Sequence, residues 1–510
     1  MNENQYFSYL TMGIPEEIER LKMCGEFEEA IRSIDEKLSE KMLPEQARYA
    51  LLAEREMIRR LPSDFPFTRA EALARIRAHI PSYRDEEFEE QLRQGQIRFI
   101  YSHGELRIFD RFFESMCKSM PEFRARAGAR LEGGESGGKG SRGDERLNRA
   151  MRTMKEKGTL SNRIRIHASV QLKEESFTPG MFVRVHLPIP SACAQQSEIR
   201  IEAMSPEGGR LAPEDAEQRT VCWEEILQEN HAFSVTYSYV HTATWHDTAA
   251  AWEDKTEAQK CHVMQQLKGT YQETCTVTRP EAADERMELE CEAKNDCLPP
   301  EALPEYEEDT QEMAPHVRFT PLIRAVTDAC IRGDVLPPLE KARRFYDYIT
   351  LNFKYTYMPA YFSLENIAEE CARSKTGDCG VFALLFLTMC RCAGIPAEWQ
   401  SGFAAEPDFL GGHDWVRFYA EPFGWLYADP SYGIAAVRAE NEERRQFYFG
   451  NLDPYRMVAN RAFQAPFTVE KQHFRADPYD NQLGEIETAD RGLRWDEFVR
   501  RKEIVDFQEL

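Results

Sequence analysis

The N-terminal part of the chain has the apolar spacing of amphipathic helices. Six apolar residues between Pro15 and Leu61 recur mostly at three- and four-residue steps: Ile18, Leu21, Phe27, Ile31, Ile34 and Leu38. This spacing predicts two or three helices that pack together through their apolar faces. We interpret residues 1–123 as a helical N-terminal region.

Residues 68–109 add a second pattern to this region. Thr68, followed three residues later by Glu71, is typical of a helix start, and two helices are predicted before a strand, a turn at residues 102–104 and another strand. This order resembles a winged helix. The second helix, RDEEFEEQLRQ, is acidic, whereas a DNA-recognition helix is expected to be basic. The pattern therefore favours packing or contact with a protein partner over binding to nucleic acid.

A change of composition separates this region from a β-rich one. Residues 124–160 lose their apolar residues around a run of Gly, Arg, Glu and Ser, which predicts a flexible linker. The segments RIRIHASV, MFVRVHLPIP, SEIRIEAM and HAFSVTYSYV then alternate apolar and polar residues between Pro- and Gly-bearing turns. Such short, punctuated strands predict a β-sandwich-like domain over residues 161–297.

Charge and cysteine usage narrow the function classes. The 510-residue chain has 64 Lys and Arg against 87 Asp and Glu, a formal net charge of -23. This charge repels nucleic acid and anionic lipid, so it argues against both as partners. The N-terminus lacks a signal-like pattern, and no apolar run approaches the ~18 residues of a membrane span. Thirteen cysteines, an odd number, favour reduced thiols, and we predict a cytoplasmic protein.

The candidate chemistry lies in residues 316–470, where helical patterns return. The stretch TGDCGVFALLFLTMC places Cys379 after Gly377 and the potential cap Asp378, at the head of an apolar run. A helix N-terminus favours the thiolate, which is the reactive form of cysteine. Its backbone N–H groups also stabilise negative charge that develops on a substrate carbonyl. We therefore consider Cys379 a candidate nucleophile, whereas most single cysteines are small buried apolar residues.

Two later motifs supply the partners that a reactive thiol needs. His413 opens the predicted strand GGHDWVRFY, and Asp429 closes the next one, GWLYADPSYG. A histidine at such an edge is placed to accept the thiol proton, and a carboxylate one hairpin away is placed to hold the ring in one tautomer. Each motif alone is weak, since an Asp-Pro pair is typical of a turn and an edge histidine of a polar surface.

The three motifs together resemble the transglutaminase-like superfamily, which has a papain-like α+β fold. The resemblance implies that Cys379 is the nucleophile, His413 the base and Asp429 the orienting acid, in a bacterial-type multidomain member. Two features differ from the usual pattern of the family: Asp378 precedes the nucleophile, and Asp414 follows the histidine. The full prediction is an α+β multidomain protein with a catalytic core at 316–470 and a C-terminal tail with a helix at 471–510.

The remaining site residues are less specific. In the family the second oxyanion donor tends to lie upstream of the cysteine, which makes Tyr355, Tyr357 and Tyr361 candidates for oxyanion or substrate contacts. Packing of these tyrosines in the core or at its rim is an equal alternative. We predict no cofactor and no metal site, because no zinc-type spacing of cysteines or histidines is present.

A triad of this kind attacks an amide through a thioester acyl-enzyme. The leading prediction is a cysteine peptidase or amidase that acts on a peptide or protein substrate. One alternative is a crosslinking transglutaminase, which transfers the acyl group to an amine. The other is an interaction scaffold whose transglutaminase-like domain no longer catalyses. The sequence leaves these three open.

Overall fold

The computed structural model describes residues 2–128, 141–248 and 306–510. Its N-terminal region contains seven helices (α1–α7) and three short strands (β1–β3), which include the helices and the two strands predicted for residues 15–109. The helices span Glu16–Cys24, Phe27–Leu38, Glu45–Arg60, Arg69–His79, Asp85–Arg93, Phe112–Ser119 and Pro121–Ala127. The strands span Phe67–Thr68, Phe99–Ser102 and Glu105–Ile108. Thr68 and Glu71 form the expected capping box at the start of α4, and the strands pair in the order β1-β3-β2.

The predicted linker is largely helical where the structure describes it. Helix α7 reaches Ala127, and Ser141–Lys157 forms a further helix, α8. Ala150, Met151 and Met154 recur at helical spacing on α8 and are buried. The prediction of a flexible linker over 124–160 is therefore wrong for these segments, because three apolar residues suffice to anchor an otherwise charged helix to a core.

The β-rich region forms six strands in the described residues before 249. They are β4–β9, spanning Thr159–Leu172, Met181–Pro188, Gln196–Ser205, Arg210–Leu211, Thr220–Leu227 and Phe233–Thr244. The remainder of the predicted domain, residues 249–297, lies outside the described residues. Buried residues alternate along β4, with Ile164, Ile166 and Ala168 pointing to one face.

The predicted catalytic core forms six helices and seven strands in the described residues. Helices α9–α14 span Pro321–Ile331, Pro338–Asn352, Ile367–Ser374, Cys379–Cys392, Pro430–Arg438 and Glu442–Phe447. Strands β10–β16 span Lys354–Tyr355, Thr376–Gly377, Ala397–Glu406, Phe409–Ala420, Gly424–Ala428, Phe449–Gly450 and Arg456–Asn460. Five of the strands form an antiparallel sheet in the order β15-β14-β13-β12-β16, and α12 packs against β13.

The C-terminal segment is strand rather than helix. Glu485–Thr488 (β17) pairs with β5, and Phe498–Glu509 (β18) pairs with β4 along most of its length. The two sheets, in the orders β17-β5-β8-β7 and β18-β4-β9-β6, enclose one core and form a sandwich. The prediction of a C-terminal tail with a helix is wrong, because pairing with a distant strand outweighs the local preference of a charged segment.

The fold class is thus α+β, as predicted. Phe403 and Met457 of the five-stranded sheet belong to the same buried cluster as the sandwich residues Val185 and Val235. The sandwich therefore packs directly on this sheet. In the described parts of the chain, every helix is too short or too polar to cross a bilayer.

Candidate active site

Cys379 is the first residue of α12 and is only 7% exposed. Asp378 caps this helix, because its side chain accepts a hydrogen bond of 3.2 Å from the backbone N–H of Val381. Every residue from Cys379 to Cys390 is buried, so the apolar run fixes the helix in the core and holds its first turn at the end of the sheet. The predicted position of the thiol at a helix N-terminus is therefore found in the structure.

Tyr361 packs against this first turn. Its hydroxyl donates a hydrogen bond to Asp378, and a Cβ atom added at Gly380 would lie only 2.3 Å from that hydroxyl oxygen. The glycine after Cys379 thus leaves room for the tyrosine. Burial raises the pKa of Tyr361 well above its usual value, and the charges of Asp378 and Asp414 raise it further, so the hydroxyl remains a proton donor.

His413 and Asp429 meet on adjacent strands. His413 lies on β13, and its Nε2 is 2.7 Å from Oδ2 of Asp429, which follows β14; both residues are buried. Asp429 also caps α13, because its Oδ1 accepts a hydrogen bond of 2.9 Å from the backbone N–H of Tyr432. The Tyr432 ring packs 4.4 Å from the imidazole, between centroids. These contacts fix the orientation of the imidazole ring, with Nε2 hydrogen-bonded to the Asp429 carboxylate.

Arg456 gives this pair a buried cation. Its Nη2 lies 3.0 Å from Oδ2 of Asp429 and 2.6 Å from Oδ2 of Asp453, and the side chain is fully buried. Burial alone would raise the pKa of Asp429, but the charges of His413 and Arg456 and two hydrogen bonds hold it below its usual value. Asp429 is therefore a carboxylate at neutral pH. Arg456 lies on β16, outside the three motifs, so sequence reasoning did not identify it.

The thiol itself donates a hydrogen bond to Asp414. The distance from Cys379 Sγ to Asp414 Oδ2 is 3.0 Å, and Asp414 is the residue after His413 on β13. Gln482 also donates to Asp414, and the Asp414 and Asp480 carboxyl groups are hydrogen-bonded to each other. Burial raises the pKa of Asp414 well above its usual value, and the charges of Asp480 and Asp378 raise it further. Asp414 and Asp480 therefore share a proton at pH values at which exposed carboxyl groups have lost theirs.

Sequence reasoning noted Asp414 only as a departure from a motif and assigned no chemistry to residues 477–484. The structure brings Asp480 and Gln482 of that segment to the thiol. Apart from the unusual Asp after His413, nothing local in the sequence marks them, since they lie more than sixty residues after the histidine.

A cavity of about 510 Å³ opens over Cys379. Three distant parts of the chain line it, namely residues 64 and 109–111 of the N-terminal region, residues 357–361 before the thiol, and residues 477–500 of the C-terminal segment. Tyr357 and Tyr361 are among the lining residues. Tyr355 is instead buried with its ring edge-on to Tyr357, at 5.9 Å between centroids. Two of the three candidate tyrosines therefore reach the cleft.

Acidic residues of the cleft should make stability depend on pH. Burial, then the charge of Asp480, raises the pKa of Asp477 to about 7. Because the folded state binds this proton more tightly than the unfolded chain, the stabilisation is complete below about pH 4 and is lost as the pH rises through about 7. The Asp477→Asn variant keeps an oxygen for the backbone N–H groups of Tyr479 and Asp480.

Between pH 5 and pH 8, we expect the free energy of unfolding of the wild type to fall by about 2 kcal/mol more than that of Asp477→Asn. This difference is smaller than the full pKa shift implies, because the carboxyl is partly exposed and solvent screens its charge. Urea denaturation at the two pH values measures this difference. Asp496→Asn, at an exposed residue, is the matched control. Equal pH dependence in all three proteins would contradict the prediction.

Comparison with known proteins finds a family model that matches the part of the chain that contains this site. Residues 325–430, which include Cys379, His413 and Asp429, match the model of the transglutaminase-like superfamily. A protein-glutamine gamma-glutamyltransferase from Pseudomonas aeruginosa is 26% identical over 130 residues, which are 24% of this chain and 20% of that protein. The chain thus matches about a fifth of the length of this curated relative.

Two solved structures resemble the chain more distantly. A Cytophaga hutchinsonii protein, provisionally described as a cysteine protease, has 12% identity and a TM-score of 0.36, covering 68% of this chain and 91% of its own. The periplasmic domain of TgpA from Pseudomonas aeruginosa has 14% identity and a TM-score of 0.26, covering 57% and 93%. The match of the family model confirms the resemblance that the three motifs indicate: residues 325–430 form a transglutaminase-like domain.

Proposed function

We propose that this protein is a cysteine peptidase or amidase that cleaves a peptide or protein amide through a thioester on Cys379. The observation that carries the proposal is the pairing of His413 Nε2 with Asp429 at 2.7 Å, because His413 lies on β13, the strand that packs against the helix that Cys379 begins. With Nε2 bound to the carboxylate, Nδ1 is the ring nitrogen that accepts the thiol proton.

The reaction follows from these positions. The thiol leaves Asp414 and passes its proton to His413, and the thiolate forms a C–S bond with the substrate carbonyl carbon. Backbone N–H groups at the start of α12 stabilise the resulting oxyanion, and the second donor is Tyr357 or, once its hydroxyl has left Asp378, Tyr361. The C–N bond then breaks as the imidazolium gives its proton to the leaving amine. Water, deprotonated by His413, attacks the thioester, and the C–S bond breaks to release the acid and restore the thiol.

Transfer of the acyl group to an amine is the second candidate. The curated relative from Pseudomonas aeruginosa is named a protein-glutamine gamma-glutamyltransferase, which favours this alternative. The two reactions share every step up to the thioester and differ only in the acceptor. A cytoplasmic location and a protein partner on the N-terminal module remain predictions.

Thiol labelling tests whether the site is reactive. We expect iodoacetamide at pH 7 to alkylate Cys379 much faster than the other twelve cysteines, as measured by peptide mapping against time. Cys390 is the internal comparison, because it lies on the same helix and its burial raises the pKa of its thiol well above the usual value. The Cys379→Ala variant should lose the fast event. Uniformly slow labelling would contradict the proposal and favour a non-catalytic scaffold.

An acceptor assay separates the two reactions. A glutamine-containing protein is incubated with the enzyme and a fluorescent primary amine, and mass spectrometry records hydrolysed and amine-bearing products. A peptidase or amidase should give hydrolysed products in excess at millimolar amine. Incorporation of amine into most product molecules, absent in Cys379→Ala, would instead support the crosslinking reaction.

A further inference from the structure

Two cations follow Phe498 on one face of the C-terminal strand, where Arg500 is exposed and Lys502 is half-buried. Side chains two residues apart on a strand share a face, so Phe498, Arg500, Lys502 and Ile504 of β18 point the same way. Phe498 is buried in the sandwich core and Ile504 packs against that core. Between these two apolar residues, the same face of the strand carries an arginine and a lysine.

Both cations line a second cavity, of about 250 Å³, at the junction of the sandwich and the five-stranded sheet. Lys502 Nζ lies 4.0 Å from the centroid of the Phe403 ring on β12, and Leu187 and Pro188 also line the cavity. The guanidinium carbon of Arg500 is 5.8 Å from the ring centroid of Trp495. The charged ends of both side chains thus lie near aromatic rings, and Arg501 also lines the cavity.

The charge on these two residues is not balanced within the described parts of the chain. Burial, then the charge of Arg500, lowers the pKa of Lys502 to about 7. The acidic group that acts on Arg500 is Glu485, which already binds Lys471 Nζ at 2.9 Å. Two like charges held together without a counter-charge raise each other's free energy, and an anion between them would remove that cost.

The second cavity adjoins the cleft over the thiol. Arg500, Gln482 and Leu483 line both cavities. Gln482 also donates a hydrogen bond to Asp414, the residue that accepts the thiol hydrogen bond. A ligand bound at Cys379 can therefore extend past Gln482 towards Arg500 and Lys502 without leaving the protein surface.

We propose that Arg500 and Lys502 form a subsite for a carboxylate of the substrate, next to the acyl group that reacts with Cys379. This inference rests on the proposed function. A peptide substrate has two sources of such a group, its C-terminal carboxylate and an acidic side chain, and the guanidinium fork matches the geometry of either. The competing explanation is that inward-facing charges protect the edge strand β18 from pairing with another chain, which requires no ligand.

Paired alkylating probes test the subsite without knowledge of the natural substrate. Iodoacetyl-glycine, -diglycine and -triglycine are prepared with a free C-terminal acid and as C-terminal amides, together with iodoacetyl-aspartate amide and its asparagine twin. The rate of Cys379 alkylation by each probe is measured by peptide mapping. We expect at least one acid to react about tenfold faster than its neutral twin, with saturation. The net charge of -23 acts against acids, so long-range attraction does not explain such a preference.

Variants assign the preference to the two cations. Lys502→Met keeps an apolar stem and removes the ammonium group that lies over Phe403, and we expect the acid preference to fall about tenfold. Lys502→Arg should retain it. Arg200→Met is the matched control, because Arg200 is an exposed cation on β6, the opposite edge strand of the same sheet; it should leave the preference unchanged.

The outcomes separate this inference from the one on which it rests. Fast alkylation of Cys379 by iodoacetamide, with equal rates for every acid and its twin, would overturn the subsite and leave the proposed function intact. An acid preference that survives Lys502→Met and Arg500→Met would also overturn the subsite. Slow alkylation by iodoacetamide and by every probe would overturn both inferences. An acid preference in the glycine probe pairs would indicate a C-terminal carboxylate as the group that the subsite binds, and one in the aspartate and asparagine pair would indicate an acidic side chain.

Discussion

Replacing His413 with alanine is expected to lower the rate of turnover by about 10²–10⁴-fold, the usual contribution of a general base. In the proposed reaction the imidazole removes the thiol proton. His413 contacts Asp429 through Nε2 and lies on β13, which packs against α12. The alkylation rate of Cys379 at pH 7 should fall with it, because the thiol then keeps its proton. Both rates are measured on the same preparation.

A matched variant separates loss of the base from general damage to the fold. His167 lies on β4, half-buried and hydrogen-bonded to Thr236, and His167→Ala should retain full thiol reactivity. If His413→Ala remains folded and loses less than about tenfold, the base lies elsewhere. Asp414, which already accepts the thiol hydrogen bond, would then be the residue to replace.

Replacing Arg456 with methionine is expected to lower the free energy of unfolding by about 3–5 kcal/mol. Methionine approximates the length of the arginine stem but leaves Asp429 and Asp453 buried without their shared cation. Asp429, the partner of His413, then lacks its buried cation, so the reactivity of the thiol should fall as well. Urea denaturation at pH 7 measures the stability.

Arg417→Met is the control for this second experiment. Arg417 also pairs with a carboxylate, Glu398, but both side chains are partly exposed, so the loss should stay below about 1 kcal/mol. A similarly small loss for Arg456→Met would mean that the two buried carboxylates find compensation without the guanidinium.

The elements around the thiol could be predicted because their signals are local. Asp378 caps the helix that it precedes, and the alternation around His413 and before Asp429 marks two neighbouring strands. Consecutive antiparallel strands pair in the simplest topology, so the histidine and the aspartate meet without information from elsewhere in the chain. The fold class and the family resemblance follow from these same short segments.

The other walls of the site depend on contacts between distant residues. Asp480 and Gln482 reach Asp414 across more than sixty residues, and Arg456 reaches Asp429 from a strand added at the sheet edge. The segment that ends with β18 has apolar residues at spacings compatible with a helix, and only pairing with β4 decides its structure. The periodicity of apolar residues carries no information on such partners, which is why the prediction of a helix in this segment was wrong.

The position of β18 has a consequence for the order in which the protein becomes functional during its synthesis. This strand completes the sheet that β4 begins, although more than three hundred residues of chain separate them, and Arg500 on it lines the cleft over Cys379. A nascent chain that has already made the whole transglutaminase-like domain therefore still lacks one wall of the cleft. Its thiol gains the complete surroundings only after residues 498–509 have left the ribosome and paired.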